Sequence, residues 1–174
     1  MKRLKWVLLI FLALIPIIGI YILNNPKQVI ETFVDMGGFN KGDKLPHISG
    51  MEVGGNVYNV NQLNNENFIL MISKSDCEVC KSAYPTIKEL LEKDDTTEFL
   101  MVGKGEIDEY ENIKIEYNFD FPILIADEKL ESQLKMKVFP VFYAIDHNGI
   151  IVKRMNGFSE EDFKKLVQEV DHDA

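Results

Sequence analysis

The sequence contains two cysteines, Cys77 and Cys80, whose types and spacing suit redox chemistry. They stand where an apolar run ends and a helical pattern begins. Cys77 would then lie at a helix N-terminus, where the partial positive charge and free amides favour a thiolate. Cys80 would lie one turn further along, more buried but close enough to form a disulfide. This predicts Cys77 as the nucleophile and Cys80 as the cysteine that resolves a mixed disulfide.

Two other roles for the cysteine pair have weaker support. A zinc site needs four ligands, and the sequence has no second cysteine pair, while His47, His147 and His172 are far apart. A purely structural disulfide that closes so short a loop would stabilise little. We therefore expect no metal and no cofactor other than a redox-active disulfide between Cys77 and Cys80.

The elements that position the cysteines follow an alternating pattern. Phe68–Ser73 is an almost continuous apolar run, as expected for a strand buried on both faces. Glu78–Lys93 has helical spacing with Pro85 inside it, which predicts a kink. Ser159 and Asp162 form an approximate capping box for a last helix. Further strands are predicted at 56–60, 98–102, 122–126, 141–146 and 150–155, and a weak helix at 106–113. This order implies an α/β sheet covered by helices on both faces.

The N-terminal segment Trp6–Leu23 carries no charge over 18 residues. As a helix it would be about 27 Å long, close to the apolar thickness of a bilayer. Basic residues precede it and the first acidic residue is Glu31, so the positive-inside rule places the N-terminus in the cytoplasm and the body outside. The predicted organisation is an anchor at 1–23, a spacer at 24–40 and a domain at 41–174.

Two alternatives to an anchor remain for this segment. A cleaved signal peptide would need a site of small residues, and Tyr21–Pro26 offers none. A buried core helix is disfavoured by the length of the segment. The net charge of −9 argues against a nucleic-acid partner, since phosphate binding needs clustered Lys and Arg.

Three motifs between residues 42 and 157 carry a family resemblance. They are Gly42–Pro46, the pair Cys77 and Cys80 with Pro85 after it, and Val138-Phe139-Pro140 followed by Val141–Asp146 and Gly149. Together they resemble the TlpA-like branch of the thioredoxin superfamily, the membrane-tethered oxidoreductases of bacteria. The resemblance implies a thioredoxin-like mixed sheet with helices on both faces, preceded by one transmembrane helix.

The same resemblance implies roles and partners. Pro140 would be a cis-proline that faces the disulfide and leaves a backbone edge for an extended substrate. The expected function is reduction of disulfides in exported proteins, with apocytochrome c maturation as one such task. A membrane protein would have to supply or accept the electrons.

Several positions depart from the family pattern. Asp76 replaces a common Trp, Val79 a common Pro, Ala83 a common Glu, and Met71 the buried Asp of thioredoxins. Asp76 and Glu78 flank Cys77, and negative charge disfavours a thiolate, although Lys74 and Lys81 offset part of it. We therefore expect Glu78 to tune Cys77 and the pair to favour reduction over oxidation.

Three other functions remain as alternatives. The same pair in an oxidase would form disulfides in exported proteins. Loss of the Trp and of the buried acid leaves room for a non-catalytic binding module with this fold. A peroxidase is disfavoured because Lys74 replaces the usual Thr or Ser before the reactive cysteine.

Overall fold

Residues 12, 14–16, 19–24, 35–63, 66–93 and 97–172 are described in a computed structural model of the chain. The chain divides into two units, Met1–Met36 and Gly37–Ala174. In the first, residues 12, 14–16 and 19–24 are helical and expose large apolar side chains, Leu23 by 80%. None of the helices within these described ranges is both long and apolar enough to cross a membrane. Much of the predicted anchor, Trp6–Leu23, and part of the predicted spacer, 24–40, lie outside the described residues.

A mixed sheet of seven strands forms the second unit. Its strands are β1 (Ser49–Glu52), β2 (Val57–Asn59), β3 (Phe68–Lys74), β4 (Glu98–Lys104), β5 (Ile123–Ile125), β6 (Val141–Ile145) and β7 (Ile151–Asn156). Their order across the sheet is β2-β1-β5-β4-β3-β6-β7. Strand β3 is parallel to β4 and antiparallel to β6, so it lies well inside the sheet.

In the described residues of the second unit, four helices accompany the sheet. They are α1 (Glu78–Lys93), α2 (Ile107–Tyr117), α3 (Glu128–Gln133) and α4 (Glu160–His172), with a 3₁₀ turn at Val60–Leu63. The side chains of β3 alternate between two apolar clusters: Ile69 and Met71 pack with α1, α2 and α4, whereas Leu70 and Ile72 pack with α3 and the N-terminal loops. The predicted mixed sheet with helices on both faces is confirmed.

Most predicted elements are present with small differences in their ends. The long apolar run forms β3, and α1 begins and ends as predicted and continues past Pro85. At the start of the last helix, the Ser159 hydroxyl accepts the Asp162 N–H at 3.2 Å. The sequence did not predict β1 or α3, which are only four and six residues long. The second unit begins at Gly37, whereas the sequence placed the start of the domain at Lys41.

Candidate active site

Cys77 lies in the turn between β3 and α1. Its N–H donates to the carbonyl of Lys74, the last residue of β3, at 3.2 Å, and its own carbonyl accepts the Lys81 N–H at 3.1 Å. Cys77 thus directly precedes α1, as the sequence predicts. Cys77 and Cys80 form a disulfide with their Cα atoms 5.2 Å apart.

The two sulfurs differ in their surroundings. Cys80 is fully buried against the cluster that includes α1, whereas Cys77 is partly exposed. The Cys80 N–H also donates to Cys77 Sγ at 3.1 Å. A helix N-terminal amide directed at this sulfur would stabilise it as a thiolate after reduction. Cys77 is therefore accessible to a substrate, whereas Cys80 is buried next to it and can attack only Cys77.

The acids beside Cys77 are each paired with a lysine. Asp76 accepts a hydrogen bond from Lys74 at 2.9 Å, which holds the pKa of Asp76 below its usual value. Glu78 accepts one from Lys81 at 3.0 Å, and this bond raises the pKa of Lys81. All four side chains are more than a third exposed. In each pair the lysine offsets the negative charge of the acid next to Cys77. The role of Glu78 in tuning the pKa of Cys77 stays a prediction.

Pro140 follows a cis peptide bond from Phe139, the geometry that the resemblance implies for this position. Pro140 is buried, and its carbonyl accepts the Gly157 N–H at 2.8 Å. The next residue, Val141, pairs with Ile72 near the end of β3. Since Cys77 follows that end of β3, the sheet register brings the proline loop to the same edge as the disulfide. Phe139 and Cys77 also pack against the same apolar cluster.

A buried hydroxyl cluster, which the sequence analysis missed, lies behind α1. Ser73 is fully buried and its hydroxyl is 2.9 Å from that of Tyr84 on α1. Tyr110 on α2 also bonds Ser73, and burial raises the pKa of both tyrosines. These hydroxyls therefore stay protonated and connect β3, α1 and α2. The three hydroxyls come from different elements, so no local sequence pattern indicates that they are in contact.

No buried acid accompanies the cysteines. Met71, at the position of the thioredoxin Asp, is fully buried in the cluster that holds Cys80. Within the described ranges no Asp or Glu side chain is buried. The described residues therefore offer no buried carboxylate beside Cys80 for proton transfer.

A separate cleft lies at the opposite end of the sheet. It has a volume of about 380 Å³ and is lined by residues that include Lys44, His47, Glu66 and His147. Phe68, the first residue of β3, also lines it, so β3 separates the cleft from the cysteines. Across the described part of the chain, no cluster of three or more His, Cys, Asp or Glu could hold a metal ion.

No protein-family profile matches the sequence, and no curated protein matches it. Solved structures are similar in fold. A candidate protein disulfide isomerase from Bacteroides thetaiotaomicron aligns with a TM-score of 0.70 at 19% identity, over 80% of this chain and 94% of that one.

Two further structures show the same similarity. A thiol:disulfide interchange protein of the thioredoxin family from Chlorobium tepidum aligns with a TM-score of 0.65 at 17% identity, over 76% of this chain and 98% of that one. A secreted Mycobacterium tuberculosis disulfide oxidoreductase, homologous to Escherichia coli DsbE, aligns with a TM-score of 0.64 at 15% identity. The alignment covers 70% of this chain and 95% of that one. At these identities the similarity establishes the fold alone, which is a thioredoxin-like α/β fold.

Proposed function

We propose that this chain is a thiol-disulfide oxidoreductase. The observation that carries the proposal is the pair itself: a partly exposed Cys77 at the N-terminus of α1, joined to a fully buried Cys80. The cis peptide bond before Pro140, at the same sheet edge, gives the pair a backbone beside which a substrate can lie. The likeness to disulfide interchange proteins supports the same chemistry.

The reaction needs only the two sulfurs. In the reduced protein, the Cys77 thiolate attacks one sulfur of a substrate disulfide, and the other substrate sulfur leaves as a thiolate that takes a proton. The Cys80 thiol then loses its proton and attacks Cys77, which releases the second substrate thiolate. Two electrons pass from the protein to the substrate, and the Cys77–Cys80 disulfide forms. A dithiol reductant must then regenerate the pair.

Exported proteins with disulfides are the proposed substrates, and apocytochrome c is one candidate. An extended segment would pair with the backbone at Phe139 and Pro140, as in strand addition. We propose reduction as the direction, because Asp76 and Glu78 contribute negative charge beside Cys77, which disfavours the thiolate. The electrons would come from a membrane protein.

The test is the reduction potential of the Cys77–Cys80 pair in glutathione or dithiothreitol buffers. A value near or below about −270 mV, that of thioredoxin, supports a reductase. Cys80→Ser should accumulate a mixed disulfide with a substrate peptide, whereas Cys77→Ser should not. A pair that exchanges with neither dithiols nor peptide disulfides would overturn the function and leave a binding module with this fold.

The ion pairs favour a second candidate, an oxidase. Lys74 and Lys81 neutralise much of the charge of Asp76 and Glu78, and the Cys80 N–H directed at Cys77 Sγ stabilises the reduced form. A stabilised reduced form makes the disulfide a stronger oxidant. A potential near about −120 mV, that of DsbA, would select this direction over reduction.

We propose that Trp6–Leu23 anchors the domain on the outer face of a cell membrane with the N-terminus in the cytoplasm. The described helical residues in this segment expose apolar side chains such as Leu12 and Ile15, which lipid would cover. The full chain should resist alkaline extraction from membranes, and a protease added outside should cleave the domain. Release of the intact chain into the alkaline wash would contradict the anchor.

A further inference from the structure

A segment before the sheet contacts the loop that carries Pro140. This segment, Gly37–Phe39, is called the N-terminal strap. The Gly38 N–H donates to the Lys135 carbonyl at 3.0 Å, and the Lys135 ammonium lies 4.8 Å from the centre of the Phe39 ring. Lys135 directly follows the C-cap of α3 and opens the stretch that leads to Phe139 and Pro140. The strap is thus bonded to the backbone of the proline loop.

The other side of the strap is fixed to the sheet. Arg154 on β7 donates to the carbonyls of Gly37 and Phe39 at 2.9 and 3.1 Å. The Phe39 N–H donates to the hydroxyl of Tyr143 at 3.2 Å, and Tyr143 pairs with Arg154 across β6 and β7. Phe39 itself is buried, with 9% of its surface exposed. The strap therefore joins two strands to the loop.

The strap lies so close to its neighbours that two of its residues must be glycine. Gly37 and Gly38 have φ angles of +63° and +69°. A Cβ atom on Gly38 would lie 2.1 Å from the Tyr143 hydroxyl, and one on Gly37 would lie 2.3 Å from the Lys135 carbonyl. A side chain at Gly37 would push the strap away from the loop, and one at Gly38 would push it away from Tyr143 on the sheet, so either would displace the strap.

We propose that the N-terminal strap is a positioning element for the substrate groove at Phe139 and Pro140. The inference rests on the proposed function and adds a determinant of peptide binding. The loop is fixed at one end by α3 and at the other by Val141 in β6, and between them the strap bonds the Lys135 carbonyl and lies beside the Lys137 side chain. Displacing the strap shifts the backbone on which an extended peptide would pair. A small disulfide, which reacts with the two cysteines without pairing along the loop, would be unaffected.

The test compares two glycine variants of the full chain. Gly38→Ala puts a Cβ into Tyr143, whereas Gly42→Ala, also at positive φ (+90°), meets nothing within 4 Å. Reduced protein reacts with a disulfide-bonded peptide or with cystamine, and kcat/KM is measured for each. Gly38→Ala should lose roughly 10- to 100-fold with the peptide, as misplaced binding groups do. It should keep its rate with cystamine, and Gly42→Ala should keep both rates.

A double variant distinguishes the proposed displacement of the strap from a general folding defect. Tyr143→Phe removes the hydroxyl that the new methyl group would meet, together with the acceptor of the Phe39 N–H, so Gly38→Ala with Tyr143→Phe should recover only part of the peptide rate. Equal losses for peptide and cystamine, or equal effects of Gly38→Ala and Gly42→Ala, would overturn the inference.

Amide hydrogen exchange at Lys137–Phe139 tests the strap without any enzymatic rate. Gly38→Ala should speed this exchange relative to Gly42→Ala, and unchanged protection would overturn the inference. If the unaltered chain reduces neither disulfide, the proposed function fails, and the exchange measurement still decides whether the strap holds the loop.

Discussion

The charged groups around Cys77 are held in their ionised forms by specific partners. The hydrogen bond from Lys74 lowers the pKa of Asp76, and the one that Lys81 donates to Glu78 raises the pKa of Lys81. The pKa of Glu109 is also lowered, first by the hydrogen bond from Ser75 and then by that from the Glu106 backbone. These charges stay constant through neutral pH. Any change in the rate of thiol-disulfide exchange with pH in this range should therefore come from the cysteine thiols.

The Ser75 bond to Glu109 gives a pH-dependent prediction. Because the folded pKa of Glu109 lies below its unfolded value, its contribution to stability is present above the unfolded value and is lost as the pH falls through the folded one. In Ser75→Ala the folded pKa should rise, so less stability is lost in acid. NMR titration of the Glu109 carboxyl and urea unfolding from neutral pH down to about pH 3 would measure both effects.

Ser82→Ala is the matched control, because the Ser82 hydroxyl donates to the Val79 carbonyl within α1 instead. An unchanged Glu109 titration in Ser75→Ala would show that the Ser75 bond does not set the pKa.

At the scale of elements, the sequence predicts what is local. A continuous apolar run is enough for β3, because it is buried on both faces, and helical spacing is enough for α1. The motif around Pro140 predicts the cis bond. The missed features leave no periodic signal: α3 is too short for periodicity, and the Ser73–Tyr84 bond joins single side chains of a strand and the next helix. No local pattern encodes such contacts.

Gly103 shows how one residue sets the packing between two elements. It lies on β4 opposite Ser73, and a Cβ there would come within 2.2 Å of the Tyr110 ring. Gly103→Ala should therefore overpack the interface of α2 with the sheet and cost about 1–3 kcal/mol of unfolding free energy. Urea unfolding would measure the loss as a lower midpoint with an unchanged slope.

Gly50→Ala on β1 is the control for Gly103→Ala. Its Cβ would meet Leu130 at 3.4 Å, an ordinary contact, so the variant should stay close to the unaltered chain. If both variants unfold at the same urea concentration, Tyr110 moves aside without cost and Gly103 is not needed for its packing.

At the scale of the whole chain, the boundary of the folded unit differs from the one that composition suggests. Pro26, Gly37 and Gly38 make 24–40 look like a uniform spacer. In the structure, the glycines at its end allow a close approach to Tyr143 and Lys135, and Phe39 is buried. A glycine-rich sequence is compatible with a flexible linker and with a tightly packed one, and only the tertiary contacts distinguish them.

This boundary can be tested with two fragments, one starting at Gly37 and one at Lys41. The shorter fragment loses the burial of Phe39 and the two carbonyls that accept hydrogen bonds from Arg154. It should be less stable by about 3–5 kcal/mol, the usual cost of removing a buried aromatic side chain. Urea unfolding would show this as a lower midpoint, and Phe39→Ala in the longer fragment should reproduce most of it. Equal midpoints would mean that the residues before Lys41 act only as a spacer, and the strap could then not hold the proline loop.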